Sequence, residues 1–388
     1  MRVYLFFDQE FPRKGPDSNY VHYLSLAIEN AGYDVIIVGE STSLRKNTNL
    51  KKLTAKISYV NISLSSRIKR YWCRFFSYGQ NFEFLDIHPD DIIIFYTEYG
   101  SKINTVLKKH SVRIDNRILI SVEWLQDFYP KKNSNKLKYL RYKYFEYISA
   151  KYIRKVLPIS TKLRDYYESK GYETMLLPVL NNPFEINNPT NSCSEMITFL
   201  YSGISLEKDD YRGMFLTVNH LYRYTSNIRL IITNSDSEKI RHLMGEELFS
   251  SLKNILNIYS WLPYEQYMNI LDEADFLLVF RSDTNITRAN MPSKVPEALS
   301  RGIVPIISNG GDLSNLYLTD LVDSIILDGS GNYEEHAKKI YRVIMEQKHM
   351  FENIHVEARK TAEEKFYYKN WSDKIVEFIE RKVCVSET

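Results

Sequence analysis

One stretch constrains this chain more than any other: LLVF RSDTNITRAN MPSKVPEALSRG IVPIIS NGGD, from Leu277 to Asp312. Leu277 to Phe280 is an apolar run short enough to be a buried strand. A long polar loop follows. Asn290 is placed to cap a helix whose first turn holds Pro292, Ser293 and Lys294, where proline's missing N–H would be unpaired anyway. Gly302 stops that helix by taking the left-handed conformation cheaply. Val304 to Ser308 is the next buried strand. A helix N-terminus carrying a lysine, at the carboxyl end of a parallel strand, is an anion site. One turn further on, Glu297 can point into the same crevice. The combination suits a nucleotide diphosphate, with N–H groups and Lys294 for phosphate and Glu297 for ribose hydroxyls.

The rest of the chain repeats the alternation. Strands are expected at Val3 to Phe7, Asp34 to Val38, Tyr59 to Ile62, Ile92 to Tyr96, Ile118 to Val122, Val156 to Ile159 and Met175 to Val179. Helices fit between most of them; Asp17 or Ser18 caps the first, which buries Val21, Leu24, Ile28 and Ala31. That is a doubly wound parallel sheet. Residues 179–195, VLNNPFEINNPTNSCSE, are rich in Asn, Pro and Ser without apolar periodicity and read as a linker. A second series follows, at Ile197 to Tyr201, Ile228 to Thr233, Ile255 to Trp261, Leu277 to Phe280, Val304 to Ser308 and Ser324 to Leu327, before a helical tail. The expected domains are residues 1–178 and 196–365, with a C-terminal helix over about 366–388 packing back on the first.

At 388 residues the chain is too long for one ordinary core. Its 44% hydrophobic and 26% charged content is that of a globular protein. A net charge of +3 does not point to nucleic acid. Cys73, Cys193 and Cys384 are far apart, and no Cys/His spacing suggests a metal, so a reducing cytoplasmic compartment is expected. MRVYLFFDQEF reads as a strand followed by acids rather than a signal peptide, and no apolar run approaches the ~20 residues of a membrane span.

The 277–312 stretch resembles the donor-binding motif of the retaining GT-B glycosyltransferases, the GT4-like "group 1" family. Pro292, Lys294, Glu297, Ala298, Gly302, Pro305, Ile306, Gly310 and Gly311 follow that family's pattern. The family's second glutamate, eight residues before the ribose-binding one, is Ala289 here. The resemblance implies two Rossmann-like, doubly wound parallel-sheet domains facing each other across a cleft. The first would bind the acceptor and the second the nucleotide-sugar donor.

It also implies roles for other residues. In YSGISLEKDDYRG, Gly203 is followed by Ile204 where members often carry a cation. Arg212-Gly213 matches the following cation–glycine pair, with Lys208 a substitute for gripping the diphosphate. Trp261 or Leu262 would flank the nucleobase, and Pro292 and Ser293 complete the donor motif. In the first domain Gly15, with Lys14 beside it, lies in the loop that approaches phosphates or acceptor. Where members often carry a histidine, ISVEWLQDFYP offers Glu123 at a strand's carboxyl end; Glu98 ends the preceding strand. Glu123, Lys294 and Arg212 are the expected catalytic groups. Asp209-Asp210 reads as a solvated loop, so no metal is expected, and no cofactor besides a nucleotide diphosphate sugar as co-substrate.

The activity implied is retaining transfer of that sugar to a saccharide or lipid-linked saccharide, as in cell-surface polysaccharide or glycan biosynthesis. The rivals are a catalytically degenerate binding partner or scaffold and a sugar-nucleotide epimerase of the same fold. Two stretches interleave cations with aromatics. Residues 66–76, SRIKRYWCRFF, suit an anionic membrane surface, which would place the protein peripherally on the inner face of the membrane. In residues 130–155, Leu137, Leu140, Tyr144 and Ile148 share a helical face and read as core.

Overall fold

Apolar runs such as IIIFY and IRLIIT become strands because parallel sheets covered on both faces need no polar side. The computed structural model describes residues 1–12, 15–41, 49–63, 82, 84–125, 136–186, 196–203, 208–346 and 348–382. The chain divides into two units, Met1–Leu180 with Tyr368–Thr388, and Asn181–Tyr367. Residues 66–76 and Lys14 lie outside the described residues.

Unit 1 is built on β1 (Arg2–Phe7), β2 (Asp34–Ser41), β3 (Lys51–Lys52), β4 (Ile57–Ser63), β5 (Ile92–Tyr96), β6 (Arg117–Ser121), β7 (Lys155–Pro158) and β8 (Glu173–Thr174). They lie in the order β3-β4-β2-β1-β5-β6-β7-β8. Leu5 pairs with Ile37 on one side and Ile94 on the other, both in parallel register, and all three are fully buried. Among the described strands only β3 runs antiparallel, against β4. From β1 the chain winds outward to β2 and β4, then returns to β5 on the opposite side. The carboxyl ends of β1 and β5 therefore flank a topological switch point, where open α/β sheets leave a crevice.

Among the described residues, the helices of unit 1 are α1 (Pro16–Asn30), α2 (Gly100–Lys109), α3 (Lys136–Tyr152), α4 (Thr161–Glu168) and a C-terminal helix, Ser372–Glu380. The last returns to this unit after the whole of unit 2. Its Ile375, Phe378 and Ile379 are buried, and the fully buried Lys155 donates from Nζ to the Ile379 carbonyl at 3.0 Å. Burial pushes the Lys155 ammonium below its ordinary pKa, opposed by Glu173.

Unit 2 carries β9 (Ile197–Ser202), β10 (Ile228–Thr233), β11 (Leu256–Ile258), β12 (Phe276–Val279), β13 (Val304–Ser308) and β14 (Ile325–Leu327). Its sheet order is β11-β10-β9-β12-β13-β14, every pairing parallel. The switch point falls between β9 and β12. Its helices are α5 (Tyr211–Tyr224), α6 (Ser237–Met244), α7 (Glu246–Leu252), α8 (Tyr264–Asp272), α9 (Asn285–Ala289), α10 (Lys294–Leu299), α11 (Tyr333–Tyr341) and α12 (Lys348–Thr361).

Several local expectations are corrected. The strand expected from Met175 stops at Thr174. Leu177 N still donates to the Pro158 carbonyl at 3.0 Å, but Pro158 has no N–H with which to continue the ladder. Asp17 does not cap α1, which starts at Pro16; its carboxylate sits in the first turn, where the helix dipole favours negative charge. Asn290 follows the unforeseen α9 rather than capping α10, and its amide oxygen accepts from Arg281 Nη1 at 2.8 Å. In α3 the packed face carries Tyr142, Phe145 and Ile148, leaving Leu140 59% exposed. Aromatic and aliphatic residues surround that helix on all sides, so spacing alone selects no face. Residues 179–195 are not wholly a free connector. Asn181 belongs to unit 2, where its Nδ2 donates to Ser300 Oγ at 2.8 Å and to the Pro296 carbonyl at 3.2 Å.

Truncating Phe378 to alanine is expected to destabilise unit 1 by about 3–5 kcal/mol, the usual cost of removing a buried phenyl ring. Hydrogen exchange should show protection falling in Ser372–Glu380 and β7 while unit 2 keeps its own.

Candidate functional site

Each switch point gathers charge, of opposite sign in the two units. In unit 2, β9 ends at Ser202 and Gly203, and the latter adopts φ 68°, a left-handed turn that glycine takes without strain. The half-buried Lys294, at the start of α10, reaches back to this strand end. Its Nζ donates to the Ser202 carbonyl at 2.7 Å and lies 5.6 Å from the Tyr201 ring centroid. Burial pushes its pKa down to about 8, with Asp209 opposing the shift and Arg281 adding to it. Among the described residues Lys294 makes no ion pair.

Arg281 and Asp209 were not foreseen. Arg281 is the residue after Phe280, past the carboxyl end of β12, and its side chain is only 16% exposed. Its backbone N–H donates to Ser308 Oγ at 2.7 Å, and its Nε lies 3.9 Å from Asp209 Oδ1. The expectation that Asp209-Asp210 is solvated is overturned. Asp209 is buried and accepts from the Tyr201 hydroxyl at 3.0 Å; Asp210 caps α5 by accepting from Gly213 N at 2.9 Å. A cation directly after an apolar run at the switch point is the signal that would have pointed to Arg281.

The other expected donor residues fall around this centre. Glu297 accepts from the Tyr264 hydroxyl at 3.1 Å, so α8 and α10 share that carboxylate. Pro292 is buried and Ser293 half-buried without a side-chain cap bond. Arg212 is exposed in the first turn of α5. Its neighbour must be glycine, because a Cβ at Gly213 would lie 2.6 Å from the Tyr333 ring and closer still to the Asp210 carboxylate. Lys208 is half-buried, its carbonyl accepting from Ser282 N at 3.3 Å. Leu262 is half-buried, whereas Trp261 is 74% exposed, so it does not serve the core. Gly310 and Gly311 take φ 127° and 81° in the turn after β13, beside a small cavity also lined by Arg281, Asn290 and Pro292.

In unit 1 the switch point opens into a cavity of about 480 Å³ whose lining includes Asp8, Asp17, Tyr96, Glu98 and Glu123. Both expected glutamates therefore reach one cavity. Asp8 and Asp17 were not foreseen as members. Asp8 directly follows β1, as Arg281 follows the β12 run. Asp17 accepts from Gln9 Nε2 at 2.6 Å and from the Tyr96 hydroxyl at 2.9 Å. Burial, then Asp17, raises the Tyr96 phenol well above its ordinary pKa, keeping it a donor. Lys102, 5% exposed, pairs with both Asp8 and Glu40. Burial would lower its pKa, but the two carboxylates carry it above the usual lysine range. Burial also raises the Asp8 carboxyl, against the pull of Lys102. Gly15 precedes Pro16 at the start of α1, its carbonyl accepting from Asn19 N at 2.9 Å. Among the described residues no group of three or more His, Cys, Asp or Glu is placed to hold a metal ion.

No family model matches the sequence, and no curated protein does. Solved structures do match, over nearly the full length. They include a sucrose-phosphate synthase from Thermosynechococcus elongatus at 13% identity and TM-score 0.66, covering 97% of this chain and 98% of the other. The lipopolysaccharide outer core galactosyltransferase WaaB gives 17% identity and TM-score 0.63, covering 98% and 99%. HepE of Anabaena, solved in complex with UDP, gives 11% identity and TM-score 0.62, covering 97% and 99%. Likeness at these identities is a likeness of fold, and with an eight-stranded α/β unit, parallel but for β3, and a six-stranded parallel one, this chain has the GT-B fold of glycosyltransferases.

Proposed function

We propose that the protein is a retaining glycosyltransferase that moves a sugar from a nucleotide diphosphate sugar to a saccharide or lipid-linked saccharide acceptor. The observation that carries this reading is Lys294. A desolvated ammonium that, among the described residues, meets a backbone carbonyl and an aromatic ring but no carboxylate, at the switch point of a GT-B donor unit and near Arg281, awaits an anion. A diphosphate supplies one, and the UDP in the HepE complex supports that chemistry. Glu297 and Tyr264 would take ribose hydroxyls, Trp261 or Leu262 would flank the base, and Gly203 would let the backbone approach the phosphates. Pro292 and Ser293 shape the entry to α10.

In this mechanism the sugar leaves as an oxocarbenium-like centre while negative charge grows on the diphosphate. Lys294, with Arg212 and Lys208 in the adjoining turn, stabilises that charge. The hydroxyl-rich acceptor binds in the acidic cavity of unit 1. There Glu123, with Glu98 as the neighbouring alternative, orients a hydroxyl or receives its proton. No metal or further cofactor enters the proposal, since cations and helix N–H groups supply the positive charge. We place the protein in the cytoplasm, peripherally on the inner face of a membrane. Among the described residues no helix is long and apolar enough to cross one. Exposed Tyr139 and Leu140, beside exposed Lys136, Lys138 and Lys143 on α3, support a surface contact in addition to residues 66–76.

Lys294→Ala is expected to weaken nucleotide diphosphate binding by about 1.5–3 kcal/mol, more than tenfold. Glu297→Gln should weaken it without unfolding. Because Lys294 has a depressed pKa, affinity should fall as pH rises through about 8, where the free protein loses the charge that the diphosphate needs. Calorimetry in buffers of different ionisation enthalpy should show proton uptake on binding there, and Lys294→Ala should abolish it. Unchanged binding and turnover in both variants would move the donor site elsewhere.

Glu123→Gln is expected to cut turnover far more than nucleotide affinity, with Glu98→Gln as the parallel measurement. Normal turnover with a lowered melting temperature would make Glu123 structural. Vesicle sedimentation checks the membrane contact: vesicles rich in anionic lipid should pull the protein down at low salt and release it at high salt. Binding indifferent to lipid charge counts against it.

A further inference from the structure

Unit 1 holds a second cavity, of about 380 Å³, between α3 and α4. That volume falls within the roughly 300–1,000 Å³ of small-molecule sites. It shares Glu123, Leu125, Phe145 and Tyr167 with the acidic cavity at the switch point, so the two adjoin. Its remaining wall combines the aromatics Trp124, Tyr142, Tyr147, Tyr166 and Tyr172 with polar and charged groups.

Among the described residues, two buried polar groups on this wall have no hydrogen-bond partner. Trp124 is 8% exposed and its Nε1 donates to nothing; Ser149 is 2% exposed and its Oγ is likewise unbonded. Leaving such groups unsatisfied costs about 1–3 kcal/mol each, so a pair of them lining one cavity points to a ligand that completes them. Glu146 lines the same cavity. Its carboxylate accepts from Tyr142 at 2.5 Å, Lys143 at 2.7 Å and Tyr166 at 2.9 Å. Burial would raise its pKa, but these three donors hold it below the usual range, so it stays ionised.

The chemistry of the wall selects among ligands. An ammonium ligand would want a bare aromatic face and an uncompensated carboxylate. Here Lys162 Nζ already lies 5.1 Å from the Trp124 ring centroid and Lys170 Nζ 5.7 Å from that of Tyr166. The charge of Glu146 is already met by three donors. An acyl chain would bury the indole N–H, the serine hydroxyl and the carboxylate against carbon, which is costly. A sugar ring satisfies both demands. Its C–H face can lie against Tyr147, over which no cation sits among the described residues, while its hydroxyls accept from indole N–H and bond serine and carboxylate at the edge.

We propose that this cavity binds one ring of a saccharide acceptor, adjoining the ring that reacts, so that the acceptor is an oligosaccharide of at least two units. The word acceptor rests on the glycosyltransferase reading above; the presence of a saccharide ring in the cavity does not.

The test uses the full chain labelled with 5-fluorotryptophan, Trp124→Phe assigning one of four tryptophan fluorine signals. Probes are a panel of neutral and uronic disaccharides, their constituent monosaccharides, choline and uridine diphosphate. The Trp124 signal should move with saccharide and not with choline, and at least one disaccharide should bind about tenfold more tightly than its constituents. Tyr147 is 61% exposed, so Tyr147→Ala keeps the fold; it should weaken saccharide binding about tenfold while melting temperature and uridine diphosphate affinity stay unchanged. A Trp124 signal unmoved by every saccharide overturns the proposal, as does movement by choline alone or indifference to Tyr147→Ala. Monosaccharides binding as tightly as disaccharides would overturn the extended acceptor. Uridine diphosphate binding that survives those failures leaves the donor reading standing; its loss alone, with saccharide binding intact, removes that reading and not this one.

Discussion

Parallel pairing governs this protein. Each parallel strand must be followed by a crossover, so the carboxyl ends of all but the short edge strand β3 open on the same edge of their sheet, and winding from the centre outward in both directions leaves one gap there. Residues just past the strands at that gap lie beyond the parallel ladder and become its chemistry. In unit 1 they are acids, Asp8, Glu98 and Glu123; in unit 2 they are Gly203 and Arg281, joined by Lys294 from α10. A net charge of +3 conceals this division. One unit offers acceptors for hydroxyl protons and the other offers positive charge to an anion.

Two buried lysines show how the same desolvation serves opposite ends. Lys102 is held by Asp8 and Glu40, which carry its pKa upward; its charge is permanent and fixes the Asp8 carboxylate at the edge of the cavity. Lys294 has a carbonyl in place of a carboxylate, and its pKa falls to about 8. Removing both carboxylates from Lys102 would strand a buried charge. Supplying a phosphate to Lys294 would relieve one.

Much of this was legible in the sequence because the signal was strong and local. β5, β10 and β13 match the apolar runs residue for residue, and Gly302 takes φ 73° where the pattern needed a helix stop. Lys294 was legible from its place beside proline and before glycine. What was hidden depended on contacts distant in sequence. α9 is short and polar, held by a capping box between Thr284 and Thr287 that apolar periodicity cannot reveal. Asp209 reads as a surface acid until β9 brings Tyr201 to it and β12 brings Arg281. The second cavity of unit 1 is assembled from Trp124, α3 and α4, and no spacing in the chain announces that meeting.

The return of Ser372–Glu380 to unit 1 makes that unit discontinuous in sequence, while Asn181–Tyr367 is a single uninterrupted segment. A chain emerging from the ribosome offers both the sheet of unit 1 and the whole of unit 2 before the helix that covers Lys155 and packs Phe378 has been made. Unit 2 can reach its native state as soon as its own residues are out. Unit 1, although it begins first, must wait with an uncovered apolar face until the last of these segments appears. The usual order, in which the N-terminal domain is finished first during synthesis, is therefore inverted here. The interval in which β7 lies open is set by the time needed to translate an entire intervening domain.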